Sequence, residues 1–339
     1  MSRTPDLCLS LGFKEKGLSI LVTPPDRIEH ADRFAPEQQE KLWQVYEEQI
    51  KAVAEEHLPV HGGVLFRGFA GSQSQGKFCN DFAKLFCDDL LSYDFGSTPR
   101  TDLGDGVYTA TEYPAHQIIP LHNEQSYTLQ WPLNIWFHCV VAPQEGGETP
   151  IADSRRIYRR IPVAIRQHFE SKKLLYVRNY GNGLDLSWEQ VFKTTSKHDV
   201  EQFCKKNSIG FKWKEDDELR TWQKCQATAQ HHTSKDWVWF NRAHLFHVSN
   251  IEPATREVLL DVVDVEDLPR NVYYGDGSEI EESILDEIRG VLDEESIMFP
   301  WQQGDFLMLD NMLAAHGRST FSGDRKIVLA MANGYSTTL

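Results

Sequence analysis

The sequence predicts a mainly β protein with helical insertions, and three observations carry that reading. Short β-prone runs broken by turn residues fill the chain from about residue 105 onward, as in Trp136-Phe-His-Cys-Val-Val141 and Trp237-Val-Trp-Phe240. Stretches with a helical apolar period lie between them, without regular strand–helix alternation. No glycine-rich phosphate turn opens a helix, which argues against a doubly wound sheet.

Taken in order, the first helix is expected after Pro36, where Leu42, Val45, Tyr46, Ile50 and Val53 fall on one stripe. A strand over Gly63–Phe69 follows, then a second helical stripe of Phe78, Phe82, Leu85 and Phe86. Trp131–Phe137 reads as a buried strand. Asp153 is placed to cap a helix over 153–171, and Ile280, Ile284, Ile288, Val291 and Leu292 share a face of a helix over 279–292. The acidic stretch Glu215–Glu218 reads as a solvated helix or turn. No repeat, low-complexity tract or Pro/Gly/Ser-rich linker divides the chain, so one domain over 1–339 is expected.

With 339 residues, 40% hydrophobic and 11% aromatic, the chain has ample material for a buried core. A formal charge of −15 and a pI near 5.3 repel phosphate backbones, which excludes nucleic acid as an expected partner. The N-terminal run MSRTPDLCLSLGFKEKG lacks the apolar core of a signal peptide, and nowhere do about eighteen apolar residues run together. A cytoplasmic protein without a membrane partner is expected, and a homo-oligomer is compatible with the sequence. Six scattered cysteines with no CxxC pair read as reduced thiols.

The chemistry concentrates in two places. Pro120-Leu-His122-Asn-Glu124-Gln-Ser126 contains His-x-Glu, and on a strand residues i and i+2 point to one side, so an imidazole and a carboxylate are expected to converge. Far downstream, Phe306-Leu-Met-Leu-Asp-Asn-Met-Leu-Ala-Ala-His316-Gly-Arg318 puts a second imidazole just after an apolar strand. Two histidines and one carboxylate on one face of a metal leave three positions open, which suits Fe(II) enzymes that activate O2. His-x-Glu alone is a weak signal, because thirteen histidines among fifty acidic residues produce such pairs by chance. Its company strengthens it: Gly146-Gly-Glu-Thr149-Pro150 offers a hydroxyl and Gly323-Asp-Arg325-Lys326 a cation for the far side of a site.

Gly146 and Gly147 precede no Lys-Ser/Thr pair, so they read as a flexible approach for Thr149 rather than a phosphate loop. His231, His232, His244 and His247 have no carboxylate at ligand spacing, and a second metal site is not expected there. Asn241, Arg242 and His244 are candidate substrate-binding residues of the pocket wall, with a hydrogen-bonded framework as the alternative.

These residues resemble the TauD/TfdA dioxygenases, and more closely their syringomycin-hydroxylase-like (SyrP-like) branch from nonribosomal peptide gene clusters. The runs that carry the likeness are TEYPAHQIIPLHNEQSY (111–127), GGETPIADSR (146–155), RNYGNGLDLSW (178–188), WFNRAHLFHVSN (239–250), LPRNVYYGDG (268–277) and 299–332. The resemblance implies a double-stranded β-helix, or jelly roll, with Fe(II) as cofactor and 2-oxoglutarate and O2 as co-substrates. It implies a reaction that decarboxylates 2-oxoglutarate to succinate while oxidising an unactivated C–H bond. Matched position by position, His122, Glu124 and His316 fall on the catalytic iron ligands, and Thr149 and Arg325 on the residues that bind 2-oxoglutarate. Arg318 is then expected to pair with a core carboxylate, or to touch 2-oxoglutarate.

Two departures from the family's pattern matter. Glu124 stands where much of the wider family has Asp, and Leu329 stands where taurine-type members carry an arginine for an anionic substrate. A sulfonate is therefore a poor expected substrate. The expected one is an amino acid or amino-acid-derived group, free or tethered to a peptidyl carrier protein, with Arg242 as the cation for a free acid. Hydroxylation is the expected outcome, and desaturation or cyclisation are alternatives on the same iron chemistry. A metal-dependent hydrolase could use the same ligands but has no need for Thr149 and Arg325. A halogenase needs an open position where Glu124 stands.

Overall fold

The computed structural model describes residues 8–11, 20–23, 42–69, 76–93, 95–181 and 183–339. Its largest sheet has eight strands, in the order Cys8–Leu11, Ile20–Thr23, Gly63–Phe66, Phe306–Asp310, Gln130–Val141, Lys326–Ser336, Val107–Thr109, Asp102–Gly104. All neighbours run antiparallel except Ile20–Thr23 beside Gly63–Phe66. The central strands alternate between two cores. Ile135, Phe137, Cys139, Leu307, Leu309, Ile327 and Leu329 face Ile151 and Ala314 of a smaller sheet. Trp136, Val140, Phe306, Met308, Val328 and Ala330 pack instead with residues of the helices Glu47–His61 and Gly76–Ala83. A strand covered on both faces is apolar at consecutive positions, which is why 135–140 reads as a continuous run.

The smaller sheet sets the site. It places Ala314–Arg318 between Ile119–His122 and Ile151–Asp153, all antiparallel. A separate four-stranded sheet, Gly210–Trp213, Leu219–Cys225, Leu174–Tyr180 and Arg270–Tyr274, packs with the helices Val163–Lys172 and Glu282–Glu295 around Phe169, Val272 and Leu285.

Several elements differ from expectation in ways that local chemistry explains. The first helix is two pieces, Leu42–Val45 and Glu47–His61, parted at Tyr46; Pro36 lies outside the described residues. The strand at Gly63 ends at Phe66, although Phe69 is still buried. Leu85 and Phe86 pack against the core from the turn after Gly76–Ala83. Asp153 does cap a helix, accepting the N–H groups of Arg155 and Arg156, but that helix stops at Arg160 and a second runs Val163–Lys172. Pro162 is the cause: it lacks an N–H to donate and drives Ile161 into extended backbone, ψ 130°. Glu282–Glu295 is helical with Leu285, Ile288 and Leu292 buried, and Ile280 is buried just ahead of it. Glu215–Asp217 is one 3-10 turn. Among the described residues all six cysteines are free thiols, and no helix is long and apolar enough to cross a membrane.

Candidate metal and co-substrate site

The strand Ile119–His122 ends at His122, so Glu124 sits in the turn beyond it and not on the strand as expected. Gln125 reverses the chain with a left-handed φ of 54°. Asn311 pins this turn through both ends of its amide. Its Oδ1 accepts the Glu124 N–H at 2.7 Å, and its Nδ2 donates to the carbonyls of Glu124 and Pro132 at 2.9 and 2.8 Å. Asn123 Nδ2 in turn donates to the Asn311 carbonyl at 2.6 Å.

His316 lies inside the strand Ala314–Arg318 and not just after the apolar one, because residues 311–313 form a tight turn between the two. It stands directly opposite His122 in the antiparallel pair, with ring centroids 4.6 Å apart and the Phe137 ring edge-on to His316 at 5.1 Å. The ladder is irregular between His316 and Arg318, the kind of bulge that re-aims side chains beside an active site. One donor atom each from His122, Glu124 and His316 lies within 4.8 Å of the others, and all three residues are buried.

The protonation states fit a divalent metal. Burial above all, with help from Arg242 and His316, holds His122 well below the usual imidazole range. Burial likewise pushes His316 down to about 4, so both rings are neutral. His122 Nδ1 lies 2.8 Å from the Pro120 carbonyl, which only a ring N–H can satisfy, and this tautomer leaves Nε2 with a free lone pair. His316 Nδ1 is buried without a hydrogen-bond partner among the described residues. Burial opposes the Glu124 charge, but Arg100 and then Arg242 overcome it and hold the carboxyl well below the ordinary range. Arg100 Nη2 donates to Oε2 at 2.8 Å and Arg242 Nη2 to Oε1 at 3.1 Å, and each oxygen keeps a further lone pair.

Thr149 and Arg325 line the same cavity as His122 and His316. Thr149 Oγ1 accepts from Trp301 Nε1 at 3.1 Å, which leaves its own proton free to donate. Arg325 Nε donates to the Gly147 carbonyl at 2.9 Å. Burial, with Arg318 beside it, lowers Arg325 to about 10, so it is still a cation at neutral pH, and it forms no ion pair among the described residues. Lys326, one position on, is exposed. Gly146 and Gly147 are tight rather than flexible. Both have left-handed φ, and a Cβ would meet the Thr320 carbonyl oxygen at 2.2 Å from Gly146, and Pro143 Cγ at 2.8 Å from Gly147.

Other expected site residues fall elsewhere. Arg318 finds no carboxylate; it donates to the carbonyls of Tyr113, Pro114 and Gln117 at 2.7–2.8 Å while lining the cavity. Asn241, Arg242 and His244 were expected in the pocket wall, yet none lines this cavity. Asn241 Nδ2 donates to the Ala227 carbonyl at 2.6 Å. Arg242 is used up on the Asn123 carbonyl, Ser97 and Glu124. His244 Nε2 lies 2.9 Å from the Leu121 carbonyl. The three frame the ligand turn from behind. His231 is engaged by Asp310 at 2.9 Å and Ser234 at 3.0 Å. Sequence reasoning missed Arg100 and Asn311, whose local runs carry no recognisable signal.

Comparison with known proteins places this geometry. The pattern of the family described as taurine catabolism dioxygenase TauD, TfdA family matches residues 27–331. The dapdiamide synthesis protein DdaC of Enterobacter agglomerans is 40% identical over 277 residues, 82% of this chain and 84% of that protein. A clavaminate synthase-like protein of Arabidopsis thaliana is 32% identical over 282 residues, covering 80% and 81%. In fold the chain is similar to PvcB of Pseudomonas aeruginosa, with a TM-score of 0.53 and 15% identity across 98% of this chain and 92% of that one. The facing antiparallel sheets are thus a jelly-roll core. With the family pattern running through nearly the whole described chain and a relative at 40% identity, this protein belongs to the TauD/TfdA family and is an Fe(II)- and 2-oxoglutarate-dependent dioxygenase, with O2 as its second co-substrate.

Proposed function

We propose that His122, Glu124 and His316 hold the Fe(II), and that Thr149 and Arg325 hold the distal carboxylate of 2-oxoglutarate. The observation that carries this reading is the convergence of the three donors within 4.8 Å beside the cavity that Thr149 and Arg325 line. Two neutral imidazoles and one carboxylate leave the ion a net positive charge that favours chelation by a keto acid. Bound iron supplies the redox chemistry that couples decarboxylation of 2-oxoglutarate to oxidation of a C–H bond. The chain's own residues do the rest. Arg100 and Arg242 keep Glu124 ionised and fixed, while Pro120 fixes the His122 tautomer. Thr149 and Arg325 present a hydroxyl and a guanidinium to a carboxylate. Phe137, Ile327 and Leu329 give the cavity apolar walls that exclude water.

The organic substrate we propose is an amino acid or amino-acid-derived group, free or on a peptidyl carrier protein, oxidised at an sp³ carbon in small-molecule biosynthesis. Hydroxylation is the favoured outcome, and desaturation or cyclisation would begin from the same site. A relative named for dapdiamide synthesis supports a biosynthetic role, and Leu329 removes the cation that a small sulfonate needs.

The test is anaerobic addition of Fe(II) and 2-oxoglutarate. The wild type is expected to show the weak visible metal-to-ligand charge-transfer band. His122→Ala, Glu124→Ala and His316→Ala are each expected to lose the band and succinate formation with unchanged far-UV circular dichroism. Full turnover in any two of them would sink the ligand assignment. Candidate amino acids, free and carrier-loaded, are then followed by mass for a gained oxygen atom or two lost hydrogens.

A further inference from the structure

Arg100 lines the cavity shared by His122, His316, Thr149 and Arg325, and its side chain is only 4% exposed. One nitrogen, Nη2, serves Glu124, while Nε and Nη1 are buried with no hydrogen-bond partner among the described residues. The guanidinium stacks on the Tyr93 ring at 4.3 Å, which holds its plane still. Unmatched buried donors on a cation are costly, and native structures tolerate them where a ligand completes the set. Arg242, the other arginine on Glu124, has a partner for each of its three nitrogens.

The charge of the cavity points the same way. Arg100, Arg318 and Arg325 line it, and Glu124, shared by Arg100 and Arg242, is the carboxylate set against them. Arginines outnumber that carboxylate, and Fe(II) and the 2-oxoglutarate dianion carry equal and opposite charges, so loading both leaves the excess untouched. Arg325 is taken by 2-oxoglutarate in the function proposed above, and Arg318 gives both Nη nitrogens to three carbonyls and keeps one unmatched donor, Nε. Arg100 keeps two, Nε and Nη1, beside the nitrogen that faces Glu124.

We propose that Arg100 anchors a carboxylate of the organic substrate, so that the substrate enters as a free acid and not as a carrier thioester. This rests on the proposed function and narrows it. Arg100 then does from another position in the same cavity what an arginine at position 329 would do, and Leu329 is explained as an apolar wall for the substrate's carbon skeleton. Because the same guanidinium holds the ligand Glu124, the carbon presented for oxidation lies close to the bound carboxylate.

The experiment uses the full chain loaded anaerobically with Fe(II) and 2-oxoglutarate, titrated with free L-α-amino acids and with their methyl esters. Binding is read from the shift of the charge-transfer band and by calorimetry. At least one free acid is expected to shift the band, with its ester at least about thirtyfold weaker. Arg100→Gln, whose amide can still donate to Glu124, is expected at saturating Fe(II) and 2-oxoglutarate to keep a band, weakened or not, and to bind that acid at least about thirtyfold more weakly, with no remaining preference over the ester. Arg100→Lys is expected to recover part of the loss. The proposal is overturned if no free acid shifts the band, or if esters or carrier-loaded forms bind as well as acids. Loss of the band itself in Arg100→Gln also overturns it, because Arg100 would then act only through Glu124. Absence of the band in the wild type is a different failure, that of the function proposed above.

Discussion

The two ends of the cavity balance their charges in different ways. At the metal end the anion is built in: Glu124 meets Arg100 and Arg242, and Asn311 closes its backbone. At the proposed co-substrate end the cation is built in and its anion is not, for among the described residues Arg325 donates to the Gly147 carbonyl and lies over the Phe321 ring but meets no carboxylate. The first end is part of the folded framework whether or not a ligand is bound. The second is matched only when a dianion arrives. Mutations at the first should therefore act on stability, and mutations at the second on ligand affinity.

The largest expected effect breaks the first end. Arg242→Ala leaves Glu124 with one cation and strands the Asn123 carbonyl, and should cost about 3–5 kcal/mol of stability by urea denaturation. A change below about 1 kcal/mol would refute the idea that this end is structural. Next, Arg325→Ala should raise the 2-oxoglutarate requirement well over tenfold, equivalent to about 2–5 kcal/mol, and barely move the unfolding midpoint. Lys326→Ala should do neither, and a larger defect there than at Arg325 would shift the proposed anchor by one residue.

His244 sharpens the comparison through pH. Burial above all, with Arg289 and Arg242 nearby, lowers it to about 4. The unfolded chain therefore binds this proton first. Its stabilising share is present above about pH 6.5 and is lost as pH falls towards 4. His244→Gln, which can still donate to the Leu121 carbonyl, should remove up to about 3 kcal/mol of the acid destabilisation in that window. A stability profile parallel to the wild type's would refute it. The smallest effect is expected of Gly147→Ala: a left-handed φ of 68° and a Cβ 3.0 Å from Arg325 Cδ should cost about 1–2 kcal/mol. It should also weaken 2-oxoglutarate binding, because Arg325 leans on that residue.

What the sequence revealed of this site was what lies in contiguous runs. His122, Glu124, Thr149, His316 and Arg325 each sit in a short stretch whose residue types suggest a chemistry, and the nearly unbroken apolar run around 135–140 suggests a buried strand. Arg100 and Asn311 were illegible because their partners lie far along the chain. Nothing near Arg100 points to Glu124, and nothing near Asn311 points to the turn it closes. For Arg242 the sequence left a pocket-wall role and a hydrogen-bonded framework role open, and only Ser97, Asn123 and Glu124 around it favour the framework. The break at Pro162 was readable in principle, but the apolar period on either side masked it.

His122 and His316 face each other across a single ladder, which makes iron sensitive to how the strands have paired. A slip of one residue in Ala314–Arg318 sends the His316 ring to the opposite face of the sheet. A chain so misregistered would offer an ion at the proposed site one imidazole in place of two. With the proposed ligands, metal binding would add its free energy to one pairing alone, and iron would act as a proofreader of assembly between two strands that the chain makes far apart.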